Sequence, residues 1–207
     1  DQAVSRGLGD VYKRQKHVGG AQIWSKVVSD ANGGAHKIYN ATVHCLLAKR
    51  SGKKVICGDT GAGYAGKMLS MAAKKFGLKC KIFMGAKDIQ RQQPNVKAMK
   101  KNGAEVIPVY SGSQTLVDAV SECMRYWVAN CDKVAMCVGS TVGPAVFVRI
   151  CGWSTSQISR ELKIQLVNEF GSIPNSSFII ALAEEVLALV FGMSLWIIKK
   201  NNVNLLV

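Results

Sequence analysis

The sequence predicts an α/β fold with a parallel sheet, and three observations support this. Short apolar segments rich in β-branched residues alternate with segments of helical periodicity between residues 52 and 144. Glycines lie where several of these segments end. With 207 residues, of which 48% are hydrophobic, the chain can bury a substantial core. Repeated βα units indicate parallel strands, right-handed crossovers and helices on the faces of the sheet.

The alternation predicts the elements in order. The predicted strands span residues 53–57, 79–84, 105–109 and 134–138, and the predicted helices span residues 65–76, 93–102 and 115–129. Gly77 ends the first of these helices, and Gly103 follows the second. Ligands bind beyond the carboxyl ends of the strands in sheets of this kind. We therefore expect a site at the loops that contain Thr60 and Gly139.

A glycine-rich loop follows the first predicted strand and opens a helix. It reads Asp59-Thr60-Gly61-Ala62-Gly63. Backbone N–H groups at a junction of this kind bind anions. The loop lacks the third glycine of the dinucleotide fingerprint. It therefore predicts a site for a carboxylate or a phosphate.

Lys37 lies near the predicted start of an earlier helix, directly after the small residues 33–35. The positive end of the helix dipole favours the neutral amine, which attacks carbonyls and forms Schiff bases. The alternative is a solvated lysine, as most lysines are. The apolar face of this helix is predicted to contain Ile38, Ala41, Leu46 and Leu47.

Six segments, taken together and in order, resemble one family. They are GGAHKIYNA, LLAKRSGKKVI, DTGAG, GLKCKIFMGAKD, RQQPNVKAMKKNGAEVIPVYSGSQTLVDA and GSTVGP. They are similar to the β chain of tryptophan synthase, a fold-type II enzyme that uses pyridoxal phosphate, over about residues 16–174. The resemblance implies a three-layer αβα fold with an incomplete second domain. It also implies replacement of the hydroxyl of L-serine by indole, which is the final step of tryptophan biosynthesis.

The resemblance implies a role for each matching residue. Lys37 matches the lysine that holds the cofactor and moves protons at the substrate Cα, and His36 matches a residue beside the cofactor phosphate. Asp59 stands where the family has a catalytic glutamate. Two residues match neighbours of the cofactor, Gly139 and Ser140. The loop that grips the substrate carboxylate matches Thr60, Gly61, Ala62, Gly63, Tyr64 and Ala65.

Several positions depart from the family pattern. Asp59 is one methylene shorter than glutamate, and a displacement of about 1 Å in a catalytic group can cost about 10²-fold in rate. Tyr64 and Ala65 replace an amide–imidazole pair, and residues 145–148 replace a proline-rich turn that contains histidine. These changes leave two alternatives open: another pyridoxal phosphate lyase or β-replacement enzyme of the same fold, or a degenerate fragment without catalytic activity.

The resemblance also implies an organisation into segments. Residues 1–15 resemble a translated linker and are predicted to be a non-native tail. Residues 16–51 begin the cofactor domain with its lysine, and residues 52–144 form a communication-type βα domain. Residues 145–207 return in part to the second cofactor domain. The family's chains are about twice this length, so the chain is predicted to be an N-terminal-half fragment.

The resemblance breaks beyond residue 174. Residues 183–187 (AEEVL) stand where the family has a glycine-rich loop that cradles the cofactor phosphate. Two carboxylates bind phosphate poorly, because like charges repel. Two explanations stay open: genuine divergence, or a frameshift over residues 183–201 that the sequence corrects before residue 202.

Composition and charge bear on partners and location. The net charge is +14, but no basic run is interleaved with aromatics, so nucleic-acid binding is not predicted. The apolar run 186–198 has 13 residues, fewer than the ~20 that span a membrane. Seven cysteines without CxxC pairing favour buried thiols in a reducing cytoplasm over disulfides or a metal site. The resemblance implies L-serine, indole, an α chain and a second β chain as partners.

Overall fold

The computed structural model describes residue 26, residues 30–140 and residues 143–173. The predictions for residues 1–15, for the segment 183–201 and for the apolar run 186–198 lie outside these residues. Within residues 30–140 and 143–173, no helix has the length and apolar character needed to cross a membrane. The same residues contain no group of three His, Cys, Asp or Glu side chains arranged to hold a metal ion.

Four parallel strands form one sheet, which confirms the predicted α/β class. The strands are β1 Val55–Asp59, β2 Lys79–Gly85, β3 Ala104–Val109 and β4 Val134–Cys137. Their order in the sheet is β3-β2-β1-β4, and every neighbouring pair is parallel. β1 is therefore a central strand, as its short apolar sequence predicts.

Seven helices accompany the sheet in the part of the chain that the structure describes. They are α1 Lys37–Arg50, α2 Tyr64–Phe76, α3 Ala86–Arg91, α4 Gln93–Lys101, α5 Leu116–Ala129, α6 Ala145–Thr155 and α7 Gln157–Phe170. Three of them (α2, α4 and α5) agree with the predicted bounds to within one residue at each end, and α1 begins at Lys37, near the predicted helix start. The short helix α3 and the helices α6 and α7 were not predicted from the sequence.

The chain changes direction across the sheet at β1. It first steps from β1 to β2 and β3 on one side, and then returns through α5 to place β4 on the other side of β1. In open parallel sheets, the crevice beyond the strand ends at such a reversal is where ligands bind. The loops that follow β1 and β4 border this crevice, as predicted.

Alternating side chains on the strands face two apolar layers. On one face, α1, α2 and α4 pack over Ile56, Ile82 and Met84, which are fully buried. On the other face, α5 packs over Cys57 and Phe83. Burying one such side chain is worth about 1.5–3 kcal/mol, so each face contributes to holding the strand ends in place.

Two sequence predictions about these elements are wrong. The first strand was predicted to end at residue 57, but β1 continues to Asp59, because Gly58 and Asp59 still pair with β2. The buried face of α1 does not include Leu47, which is 42% exposed. Small and polar side chains replace the predicted leucines there, because α1 packs closely against α2 and β4; the buried residues are Asn40, Ala41, His44, Cys45 and Ala48.

Candidate active site

Lys37 is the first residue of α1, and His36 is its N-cap. The turn before them depends on glycine, because Gly33 and Gly34 have φ angles of +92° and +82°. A Cβ on Gly33 would lie 2.5 Å from the sulfur of Met68. The small residues therefore let the start of α1 pack against α2, which places Lys37 near the carboxyl end of β1.

Asp59 ends β1 at the same crevice. Its side chain is partly exposed at the surface, but protein surrounds the carboxyl closely enough for burial to raise its pKa. Backbone hydrogen bonding and the nearby Lys37 amine act in the opposite direction and offset part of the effect. The structure thus brings the two predicted catalytic residues within electrostatic range of each other. A carboxyl with a raised pKa beside an amine is able to donate and accept protons.

The loop between β1 and α2 is held by its own hydrogen bonds. The Thr60 amide donates to the Phe83 carbonyl of β2 at 3.1 Å, and the Gly63 amide donates to the Thr60 Oγ1 at the same distance. Gly63 is the N-cap of α2 and has φ +89°. Because the first N–H groups of a helix have no intrahelical acceptor, the loop and the start of α2 present donors to an anion.

Tyr64 and Ala65 form the first turn of α2. Tyr64 is 39% exposed, and the ammonium of Lys67 lies 5.2 Å from the centre of its ring. A Cβ on Gly139 would lie 3.9 Å from the Ala65 Cβ. The structure thus brings the two predicted binding loops, one after β1 and one after β4, close together. Ser140 directly follows Gly139 and is half-buried.

Two polar residues that sequence reasoning missed meet at the end of β4, Asn40 from α1 and Cys151 from α6. Asn40 Nδ2 donates to the Val138 carbonyl at 2.8 Å, and the Cys151 thiol lies 3.0 Å from the same carbonyl oxygen. Both side chains are buried, and the Lys37 amine lies close enough to Cys151 to oppose the rise in its pKa that burial causes. The spacing from Lys37 to Asn40 was a signal in the sequence, since residues three apart share a helix face.

Asn95 is a third residue that the sequence analysis did not single out. It lies near the start of α4, and its Nδ2 donates to the Ala62 carbonyl at 2.8 Å. The site therefore includes a contact from α4 to the glycine-rich loop, in addition to the contacts within the loop itself.

His44 lies one turn beyond Asn40 on α1, and it is buried with one ring nitrogen that makes no hydrogen bond. It is 4% exposed, its ring centre lies 6.0 Å from that of Phe147, and its Nε2 has no hydrogen-bond partner. Burial lowers its pKa from 6.5 to about 4. The folded protein therefore holds this imidazole neutral.

This burial predicts an acid-dependent loss of stability. Between pH 6.5 and about 4 the unfolded chain binds a proton at His44 and the folded chain does not, so lowering the pH costs about 3 kcal/mol of stability. We expect His44→Gln to lack this loss, while His36→Gln, the same change at a less buried position, keeps it. Urea unfolding of the three proteins at pH 7 and pH 4 measures the difference. Equal losses in wild type and His44→Gln would contradict the prediction.

Comparison with known proteins identifies the family of the chain. The profile of the pyridoxal-phosphate dependent enzyme family matches residues 11–158. The tryptophan synthase β chain of Chromobacterium violaceum is 44% identical over 160 residues, which are 77% of this chain and 40% of that protein. The tryptophan synthase β chain of Bacillus pumilus is 45% identical over 159 residues, with the same coverage. The matched region thus spans less than half the length of these relatives.

Solved structures share the fold at low sequence identity. The apo form of Escherichia coli diaminopropionate ammonia lyase superposes with a TM-score of 0.66 and 18% identity, over 88% of this chain and 53% of that chain. A pyridoxal 5'-phosphate-dependent aspartate racemase gives a TM-score of 0.51 and 17% identity, over 76% of this chain and 51% of the other. These matches concern the fold alone. The profile match, which covers most of the sequence, shows that the chain belongs to the pyridoxal-phosphate dependent enzyme family.

Proposed function

We propose that the chain is part of a tryptophan synthase β-type enzyme, which replaces the hydroxyl of L-serine with indole and forms L-tryptophan and water. One observation carries the proposal. Lys37 and Asp59 interact across the crevice at the chain reversal, directly beside the glycine-rich loop. An amine, a carboxyl and an anion-binding loop are the groups that β-replacement on an amino acid needs.

The described residues fit pyridoxal phosphate at the reactive end of the cofactor. Lys37 supplies a primary amine that can bond to its carbonyl. Three residues later on α1, the Oδ1 of the buried Asn40 has no partner, which leaves an acceptor for a donor of a bound group. Gly139 has no Cβ and leaves space beside Ala65. The residues that replace the family's phosphate loop, 183–187, lie outside the described part of the chain.

When bound, pyridoxal phosphate withdraws electrons from the substrate Cα and makes its proton acidic. Lys37, as a neutral amine, then takes the proton from Cα and returns it at the end of the reaction. The raised pKa of Asp59 suits it to give a proton to the departing serine hydroxyl, which leaves as water. As a carboxylate, Asp59 next accepts the proton that C3 of indole loses when it bonds to Cβ.

The loop after β1 holds the substrate in this scheme. Backbone N–H groups of residues 61–62 and of the first turn of α2 bind the carboxylate of L-serine, as Thr60, Gly61, Ala62, Gly63, Tyr64 and Ala65 do by family resemblance. His36, Gly139 and Ser140 lie next to the cofactor in the same proposal. A carboxylate held at a helix N-terminus is stabilised by about 0.3–1 kcal/mol from the dipole alone.

The proposal extends to the complete protein. It acts in the cytoplasm, pairs with a second β chain and receives indole from an α chain. Val117 lies where the family has a lysine that contacts the α chain, and it is 72% exposed. An apolar residue there removes one charged contact, so we expect the α chain to bind more weakly than it does to relatives that have the lysine.

A second candidate is β-replacement with a different nucleophile. The aromatic side chain of Tyr64 favours it, because Tyr64 is the first residue of α2, at a position where the family has an amide side chain. A ring there changes the shape of the region where the second substrate meets the carboxylate loop.

Product analysis of the complete protein tests the proposal and separates the candidates. The protein with pyridoxal phosphate and L-serine is supplied in parallel with indole, with thiols and with small amines, and the products are identified by mass spectrometry. We expect L-tryptophan from indole at a rate at least tenfold above any other product. Product from a thiol or an amine alone would favour the second candidate. A protein that retains no cofactor and forms no product would contradict both.

A further inference from the structure

The peptide between Ala62 and Gly63 is fixed at both of its polar ends by side chains. Its carbonyl accepts a hydrogen bond from Asn95 Nδ2 at 2.8 Å, and its N–H donates to Thr60 Oγ1 at 3.1 Å. In a trans peptide, the C=O and the N–H point in opposite directions, and the described residues contain no cis bond. Asn95 and Thr60 therefore hold the same peptide plane from its two sides.

This peptide is free to rotate at its Gly63 end. Gly63 has φ +89°, and glycine adopts the corresponding negative φ about as readily. A rotation of the 62–63 peptide by about 180° would reverse its two groups. The Ala62 carbonyl oxygen would then point to the side of the loop that Gly63 N–H now faces. Both side-chain hydrogen bonds of the peptide would be lost, and its oxygen would face the Thr60 hydroxyl. The neighbouring N–H groups, of residues 61–62 and of the first turn of α2, would then no longer be held in place for an anion.

Asn95 is suited to prevent this rotation. It lies near the start of α4, where Gln92 is the N-cap, and the buried residues Val96 and Met99 anchor that helix. A Cβ added to Gly63 would lie 2.5 Å from the Asn95 Cβ, so the two residues are in close contact. Thr60 is 2% exposed and fixed in its turn, because its own amide donates to the Phe83 carbonyl.

We infer that Asn95 is a positioning residue for the substrate carboxylate: by donating to the Ala62 carbonyl, it keeps the 62–63 peptide oriented so that the loop presents N–H groups to the ligand. The inference rests on the proposed function, since the ligand it concerns is the carboxylate of L-serine. Asn95 itself touches neither substrate nor cofactor in this scheme and acts through the loop.

The chain offers a matched control at the other end of α4. Asn102 Nδ2 donates to Ser70 Oγ of α2 at 2.9 Å. Both asparagines thus connect α4 to the β1–α2 segment through one side-chain amide, but only Asn95 contacts the loop. Asn95→Asp keeps the size of the side chain over Gly63 and loses the donor, but it adds a negative charge. Asn95→Ala loses the donor without adding a charge, so an effect that both variants share reports the loss of the hydrogen bond.

The test uses the complete protein with pyridoxal phosphate and two readouts. The first is hydrogen exchange of the Gly63 amide, measured by mass spectrometry with fragmentation at single-residue resolution. The second is the dissociation constant of L-serine and of 2-aminoethanol, which has the same amine and hydroxyl but no carboxylate. We expect Asn95→Asp and Asn95→Ala to speed exchange at Gly63 and to weaken L-serine binding about tenfold, with 2-aminoethanol changed less than about twofold. Asn102→Ala should alter neither readout, although it too weakens the attachment of α4.

Two outcomes would overturn the inference in distinguishable ways. If wild type prefers L-serine and Asn95→Asp leaves both Gly63 exchange and that preference unchanged, the positioning role alone is wrong. If wild type binds L-serine no better than 2-aminoethanol, the loop is not a carboxylate site, and the proposed function fails together with this role. Equal weakening of both ligands in the Asn95 variants would show a general loss of structure and would also contradict the inference.

Discussion

Replacing Lys37 with methionine is expected to reduce product formation by about 10³-fold or more in the complete protein. The change keeps a long unbranched side chain at the first position of α1 and removes the amine. No other residue of α1 has an amine near this end, because the next lysine, Lys49, lies three turns away in the last turn of the helix. The measurement is the rate of L-tryptophan formation from L-serine and indole.

A second measurement on the same variant addresses the bond to the cofactor directly. Borohydride treatment of the wild type should fix pyridoxal phosphate covalently to the peptide that contains Lys37, and Lys37→Met should retain none after denaturation. Lys49→Met is the matched control, since Lys49 is exposed on the same helix. It should keep both the attachment and the activity. Covalent label found at Lys49 or Lys67, or full activity in Lys37→Met, would exclude the role proposed for Lys37.

The fold was predictable because its signals are local. A β-branched run such as KKVIC and a glycine at the end of a helix, such as Gly77, act within a few residues. The end of β1 was placed too early for the same reason. The low strand preference of glycine predicts that the strand ends before Gly58, whereas hydrogen bonding with β2 extends β1 to Asp59. The pairing partner lies 24 residues further along the chain, and the local pattern does not report it.

The polar contacts of the site were not predictable from patterns. Asn40 is buried because it reaches the carbonyl of Val138, which is 98 residues away. Asn95 meets the Ala62 carbonyl across 33 residues. Helical periodicity ranks positions by apolarity, so it placed Leu46 and Leu47 on the inner face and left Asn40 and His44 out. The structure reverses this order, since a buried polar side chain needs a distant partner and an exposed leucine needs none.

The roles of the individual site residues rest on other grounds. The structure places Lys37 near Asp59 and Gly139 beside Ala65, and these positions agree with the resemblance. That Lys37 bonds to the cofactor and that the loop binds a carboxylate stay predictions. Chemistry at a site depends on what binds there, and sequence patterns identify the groups that are present rather than the reaction.

Replacing Asp59 with asparagine is expected to lower product formation by about 10²- to 10⁴-fold, the usual contribution of a general acid or base. Asparagine keeps the shape of the side chain at the end of β1 and cannot exchange a proton. Asp59→Glu supplies the longer carboxyl that the family has at this position, so it should lose far less activity than Asp59→Asn. If the two variants lose activity equally, the position contributes shape and not proton transfer.

The same substitution predicts a change in stability with a defined sign. Burial raises the pKa of Asp59, so the folded chain holds its proton more tightly than the unfolded chain. Wild type therefore loses stability as the pH rises from the ordinary carboxyl pKa through the raised value. Asp59→Asn lacks this loss, and its stability relative to wild type should increase across that window and then level off.

Asp118 provides a control of opposite sign for this pH dependence. The Ser113 hydroxyl, which donates to the Asp118 carboxylate at 2.6 Å, lowers the pKa of Asp118, and this half-buried residue completes the capping box of α5. Wild type therefore gains stability from Asp118 as the pH rises through the lowered pKa to the ordinary carboxyl value. Asp118→Asn should become less stable relative to wild type over that window, which lies directly below the window of Asp59. Unfolding free energies of the three proteins from pH 2 to pH 8 would test both signs together. Parallel curves for Asp59→Asn and Asp118→Asn would show that its surroundings do not raise the pKa of Asp59. The proposed use of Asp59 as a proton donor would then lose its physical basis.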